Sequence, residues 1–193
     1  INSQLAPVRV TLGRIAGARV RDQDAVAEYQ RALAIDPSYF DAYQGLAKTL
    51  VRLEKSQEAE KAYRKAIDLR QGYWRGHKEL GVFYYMQGRY AEAEACFLKA
   101  KDLAPENFQI ANIYSNLGGV YIQTGRLAEA ERMLLDSLDR KPLAEAYNNL
   151  AAVYYYQNRY DEAAVAMEEA VKLGRANPSI LGSLARTYAL TNR

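Results

Sequence analysis

One histidine, His77, and one cysteine, Cys96, are the only imidazole and thiol in the 193 residues. A histidine-based triad needs a base beside a nucleophile and an orienting group, and a zinc site needs several nitrogen or sulfur ligands. One residue of each kind supplies neither. His77 is expected to be a packing histidine, and Cys96, next to Phe97, a small buried hydrophobe. The acidic pairs Asp161-Glu162 and Glu168-Glu169 suggest acid–base work or a hard metal. Adjacent helical residues diverge by about 100°, however, so these carboxylates point apart and read as solvated surface. No catalytic, metal or cofactor site is expected.

The remaining chemistry is that of binding. A carboxamide offers both a donor and an acceptor, so asparagines in register can hold an extended peptide by its backbone whatever its side chains. Asn116 and Asn149 are such a pair, with Asn148 beside the second. Sixteen tyrosines supply aromatic surface. Tyr84, Tyr121, Tyr154 and Tyr188 recur in one phase and read as core. Tyr85, Tyr155 and Tyr156 fall one or two residues later, on another face. With 26 basic and 23 acidic side chains the net charge is +3, too small for a generic polyanion binder, so no nucleic-acid partner is expected. No apolar run reaches the roughly 20 residues that span a bilayer, so no membrane insertion is expected. The chain is expected to be soluble. Ile1 opens neither a signal peptide nor a methionine start, and the chain is expected to be a piece of something longer. A single cysteine fits a reducing compartment such as the cytoplasm, and it also fits a cysteine-poor periplasmic protein.

The elements that must position these residues follow from an internal period. Leu12-Gly13, Leu46-Ala47, Leu80-Gly81, Leu117-Gly118, Leu150-Ala151 and Leu184-Ala185 recur at intervals of 34, 34, 37, 33 and 34 residues. In the same phase come Ala25, Ala59, Ala93, Ala130 and Ala163. Four residues after each stands a bulky side chain: Tyr29, Tyr63, Phe97, Leu134 and Met167. Small then bulky at this spacing marks one helical face, where alanine admits a neighbouring backbone and the larger residue fills the gap. Gly88, Gly125 and Asn158 sit where a helix should end in a left-handed residue, and Pro37, Pro105 and Pro142 close second helices. Each period is therefore a pair of helices.

Residues 80–105, LGVFYYMQGRYAEAEACFLKAKDLAP, resemble a tetratricopeptide repeat through Leu80, Gly81, Tyr84, Gly88, Ala93, Phe97, Ala100 and Pro105. The resemblance covers residues 6–193 and implies a single array over residues 1–193. Its units are 6–39, 40–73, 74–107, 111–143 and 144–177, with a half unit at 178–193, giving eleven helices. Gln71 and Arg175 replace the closing proline, and three extra residues precede the fourth unit around Phe108-Gln109-Ile110. The first helix is the least typical, holding Pro7, Gly13 and Gly17. The implied fold is an all-α, right-handed superhelical solenoid of antiparallel helix pairs, its concave channel lined by the first helix of each.

Function then follows from that shape. The channel face receives six basic and three acidic residues, an excess equal to the whole formal charge. The expected function is a protein–protein interaction scaffold holding a partner protein or peptide. Lys48, Arg52, Arg75 and Lys78 would meet an acidic part of it, Asn116, Asn148 and Asn149 its backbone, and Tyr85, Tyr155 and Tyr156 its apolar side chains. Lys48, Arg52, Lys78, Asn116 and Asn149 are expected on one continuous concave surface. The carboxylate clamp of the family's chaperone-tail binders is not present. Its five positions, Lys, Asn, Asn, Lys and Arg, fall on Lys78, Val82, Asn116, Glu145 and Asn149, of which two agree. The alternative is a structural spacer or self-association module, favoured by an apolar end at Ile180, Leu181 and Leu190.

Overall fold

The computed structural model describes residues 5–105, 107–173, 182 and 187–189. Most of the expected eleventh helix, with Ile180, Leu181, Arg186 and Leu190, lies outside these residues. Every extended element among the described residues is helical: α1 (Leu5–Ala18), α2 (Asp22–Ile35), α3 (Phe40–Arg52), α4 (Ser56–Leu69), α5 (Trp74–Met86), α6 (Tyr90–Leu103), α7 (Asn107–Gln123), α8 (Leu127–Arg140), α9 (Ala144–Tyr156) and α10 (Tyr160–Lys172). The expected all-α class and its period are borne out. Most helices are 13 or 14 residues long, and α7, at 17, takes up the three extra residues as added helix. Helices of this length are marginal alone in water, so their stability comes from stacking.

The chain forms two compact units, residues 1–87 with α1 to α5 and residues 88–193 with α6 to α10. In the first unit α1 packs on α2, α2 on α3, α3 on α4 and α4 on α5, and α1 also meets α3. In the second, α6 packs on α7, α7 on α8, α8 on α9 and α9 on α10, and α7 also meets α9.

The small-then-bulky phase explains the packing in both. Ala25, Ala59, Ala93, Ala130 and Ala163 are all fully buried. Tyr29 of α2 lies between two glycines of the flanking first helices. A Cβ added at Gly13 or Gly45 would come within 2.8 or 2.4 Å of its ring. Leu134 of α8 fills the same role against Gly118, where a Cβ would meet it at 2.6 Å. A helix crossing this close needs a residue with almost no side chain on one side.

Helix ends follow a shared rule. The Arg126 N–H donates to the Tyr121 carbonyl at 2.8 Å and the Gly125 N–H to Ile122 at 3.1 Å, the paired bonds of a Schellman turn. Gly88, Gly125 and Asn158 have φ of 72°, 74° and 61°, as their residue types demand. The equivalent positions in the first two pairs are Val20 and Glu54, at φ 57° and 59°. Their turns close with the same two bonds, Arg21 to Ala16 and Lys55 to Leu50 each at 2.9 Å among them. A β-branched residue is strained in this region, so hydrogen bonding holds Val20 there against its own preference.

Candidate binding faces

In the N-terminal unit several cations of the first helices pair with acids of the same unit. Lys48 of α3 lies 2.6 Å from Glu79 of α5, and Gln44 donates to the same carboxylate at 3.2 Å. Arg52 donates through Nε to Asp22 at 2.9 Å, and Arg14 is 3.6 Å from Asp41. The hydrogen bond from Arg52 is the largest cause holding the Asp22 carboxyl below its usual range. Arg14, Lys48 and Arg52 line a cleft of about 340 Å³ over the Tyr29 ring, with Asp41 and Gln44 also in its wall. The basic face expected here is thus locally neutralised at Lys48 and Arg52.

Arg75 and Lys78 of α5 differ, because neither forms an ion pair among the described residues. Their charges flank the Trp74 ring, at 5.3 and 5.9 Å from its centroid. Burial depresses the Lys78 amine, and the nearby Lys48 and Arg75 add to this while Glu79 opposes it. Tyr85, later on α5, is half-buried. His77 is also half-buried, its Nε2 lying 3.4 Å from the Gln71 carbonyl, in keeping with a packing role.

In the C-terminal unit Asn116 on α7 and Asn149 on α9 sit on helices that touch, in the same phase of consecutive pairs. Both amides are half-buried, as is Asn148. None of the three makes a side-chain hydrogen bond among the described residues. Their donors and acceptors remain available. Farther along α9, the rings of Tyr155 and Tyr156 stand edge to face at 6.3 Å, and Tyr160 meets Tyr155 at 5.5 Å. Tyr155 is half-buried and Tyr156 exposed.

A recurring contact that the sequence reading missed joins successive pairs. Glu94 of α6 lies 2.8 Å from Arg126 in the next turn, and Glu131 of α8 lies 2.9 Å from Arg159. Each arginine stands over a first-helix tyrosine, Tyr121 or Tyr154, 4.1 Å from its centroid. Each also bonds the first-turn carboxylate of the helix it precedes, Glu129 at 2.6 Å and Glu162 through Nε at 2.7 Å. These bonds hold both glutamates below their usual range and raise both guanidiniums. In the N-terminal unit Glu60 accepts from the Tyr84 hydroxyl at 3.0 Å in the same position. The signal was legible as Glu60, Glu94 and Glu131 in one phase with arginines at 126 and 159.

Cys96 is partly exposed rather than buried, because it precedes the core position Phe97 by one residue and so turns off the packed stripe. Among the described residues no group of three His, Cys, Asp or Glu could hold a metal ion. No helix among them is long and apolar enough to cross a membrane.

Tetratricopeptide repeat models match residues 75–142, 143–176 and 40–73, and a further TPR repeat model matches residues 21–54. No curated protein matches the chain. Among solved structures, pilF of Pseudomonas aeruginosa is similar with a TM-score of 0.87 at 25% identity, over 98% of this chain and 85% of that one. PilW, described as a widely conserved type IV pilus biogenesis factor, gives 0.85 at 19% identity, over 96% and 87%. YrrB, described as a TPR protein with an unusual peptide-binding site, gives 0.68 at 21%, over 91% and 89%. The last two likenesses show the fold alone. Repeat period, buried alanines and family matches running from residue 21 to residue 176 agree, and the chain belongs to the tetratricopeptide repeat family.

Proposed function

We propose that this chain is a protein-interaction scaffold whose C-terminal unit holds an extended partner segment by its backbone, through Asn116 and Asn149 with Asn148 beside them. The observation that carries the reading is the state of these amides: half-buried, in register on touching helices, and without a side-chain hydrogen bond among the described residues. A half-buried amide with open valences gains more from a ligand's backbone than a fully solvated one does, because part of its water is already gone. Tyr155 and Tyr156 offer apolar surface to the side chains of such a segment, and Tyr85 does so on α5.

Arg75 and Lys78, which form no ion pair among the described residues and frame Trp74, are the cations best able to meet acidic residues of a partner. Lys48 and Arg52, already paired with Glu79 and Asp22, would share or exchange those carboxylates with an incoming one. That exchange weakens their net contribution to affinity and leaves them a role in steering association.

The test is to pan a displayed random-peptide library on the chain and measure dissociation of the selected peptides. Asn116→Ala with Asn149→Ala should speed dissociation by about tenfold, the worth of two ordinary hydrogen bonds. Unaltered dissociation from a folded double variant would remove these amides from the binding surface.

A further inference from the structure

Five second helices carry a bulky residue four positions after the buried alanine: Tyr29, Tyr63, Phe97, Leu134 and Met167. Phenylalanine, leucine and methionine fill the crossing without a hydroxyl, so packing explains the Tyr29 ring and leaves its oxygen unexplained. Tyr29 is 4% exposed, and its hydroxyl makes no hydrogen bond among the described residues. A buried hydroxyl without a partner is unfavourable. Gly45 of α3 lets this one through, since a Cβ there would stand 2.8 Å from the oxygen. Both Tyr29 and Gly45 line the cleft of about 340 Å³.

That cleft is walled from both neighbours of α2. Arg14 and Gly17 come from α1, and Gly45, Lys48 and Arg52 from α3. Its guanidiniums have donors to spare. Arg14 is 3.6 Å from Asp41, too far for a hydrogen bond. Arg52 bonds Asp22 through Nε and Nη2, and its Nη1 has no partner among the described residues. Gly17 makes room for the same guanidinium, because a Cβ there would come within 3.1 Å of Nη2. Burial raises the Tyr29 phenol while Arg14 and Arg52 oppose the rise, so both arginines act on its oxygen. The equivalent Tyr63 of α4 feels the Glu79 carboxylate instead.

We propose that this cleft is a carboxylate site, taking the side chain of an aspartate or glutamate of a partner protein onto Arg14, Arg52 Nη1 and the Tyr29 hydroxyl. All three are donors with open valences, and a carboxylate accepts several such bonds at once. It also supplies the acceptor that the Tyr29 hydroxyl lacks. Arg14, Lys48 and Arg52 are matched by Asp41, Glu79 and Asp22, so the group is near neutral. One added negative charge is better received there than the two of a phosphate dianion. The site shares no residue with the clamp positions Lys78, Val82, Asn116, Glu145 and Asn149. Its protein partner rests on the scaffold reading, and its carboxylate chemistry does not.

The probe is the blocked tripeptide acetyl-Gly-Glu-Gly-amide, whose only charge is the glutamate carboxylate, titrated into the intact chain at constant ionic strength. The Nε–Hε NMR signals of Arg14 and Arg52 and the ring signals of Tyr29 report on the cleft. They should shift together and saturate, and the peptide with glutamine in place of glutamate should leave them fixed. Tyr29→Phe keeps the ring, as Phe97 does on α6, and should weaken binding about fivefold, the worth of one hydrogen bond. Arg14→Gln should weaken it about tenfold or more, because a charge-assisted bond is lost. Thermal unfolding checks that both variants are folded, and Arg14→Gln, at an exposed side chain, carries the test if Tyr29→Phe unfolds. No saturable shift, an equal response to the glutamine peptide, or unaltered binding by the folded variants would overturn the proposal. So would tighter binding of inorganic phosphate at the same signals, because the site would then not be built for a carboxylate. All the signals lie on α1 to α3, so failure here leaves the amide reading of α7 and α9 standing.

Discussion

The two units are built from the same helix pair and differ in what they do with polar side chains. In residues 1–87 the cations on the first helices answer acids of the same unit, Lys48 to Glu79, Arg52 to Asp22 and Arg14 to Asp41. Among the described residues of 88–193 the cross-pair ion pairs Glu94–Arg126 and Glu131–Arg159 sit at the junctions between pairs, and Asn116, Asn148 and Asn149 on α7 and α9 make no side-chain hydrogen bond. A positively charged face counted from sequence and a face ready to bind are therefore different things. Ion pairing removes binding capacity from the unit with the formal charge. In the second unit Asn116, Asn148 and Asn149 make no side-chain hydrogen bond among the described residues, which is why the proposed contact with a partner backbone is placed there.

What the units share should break equally in both. Ala59→Leu in the first and Ala130→Leu in the second should each overpack a helix crossing and cost about 1–3 kcal/mol in chemical denaturation. An effect in one unit alone would show that the packing phase is not common to them. The next difference concerns helix ends. Val20→Gly should stabilise by about 1 kcal/mol through relief of a left-handed β-branched residue, and Gly125→Val should lose about as much. Equal and negligible shifts in the melting temperature would mean that the turns carry no strain.

Smaller still is the pairing itself. A double-mutant cycle on Lys48 and Glu79 should give a coupling below about 1 kcal/mol, since the lysine is half exposed and a surface pair exchanges water for little gain. A larger coupling would make the N-terminal face a rigid structural element closed to an incoming carboxylate. Acid should affect the second unit's junctions in a set direction. The arginine hydrogen bonds hold Glu129 and Glu162 below the usual glutamate range in the folded state, so the stability they confer is complete above the unfolded value of about 4.3 and lost as pH falls through the folded one. Glu129→Gln with Glu162→Gln should flatten the acid limb of a stability profile.

The fold was legible because the period is set by small residues at crossings, and nothing else in the sequence competes for Ala25, Ala59, Ala93, Ala130 and Ala163. Gly88, Gly125 and Asn158 announced their turns by type. Val20 and Glu54 did not, since neither residue favours the left-handed region and only their register with the glycines exposes them. The candidate face was legible in part. Asn116 and Asn149 could be placed in phase, but their lack of partners depends on neighbours brought close by folding. The pairing of Lys48 with Glu79 was hidden for the same reason, since 31 residues separate them and the count of charges is blind to distance.

The most direct test of the proposed scaffold is to follow the side-chain amide NH₂ signals of Asn116, Asn148 and Asn149 by NMR while a library-selected peptide is titrated into the chain. The account predicts that the Asn116 and Asn149 signals move downfield together and saturate with the peptide, as new hydrogen bonds to its backbone require. Signals that stay fixed while backbone resonances elsewhere in the chain saturate would contradict it.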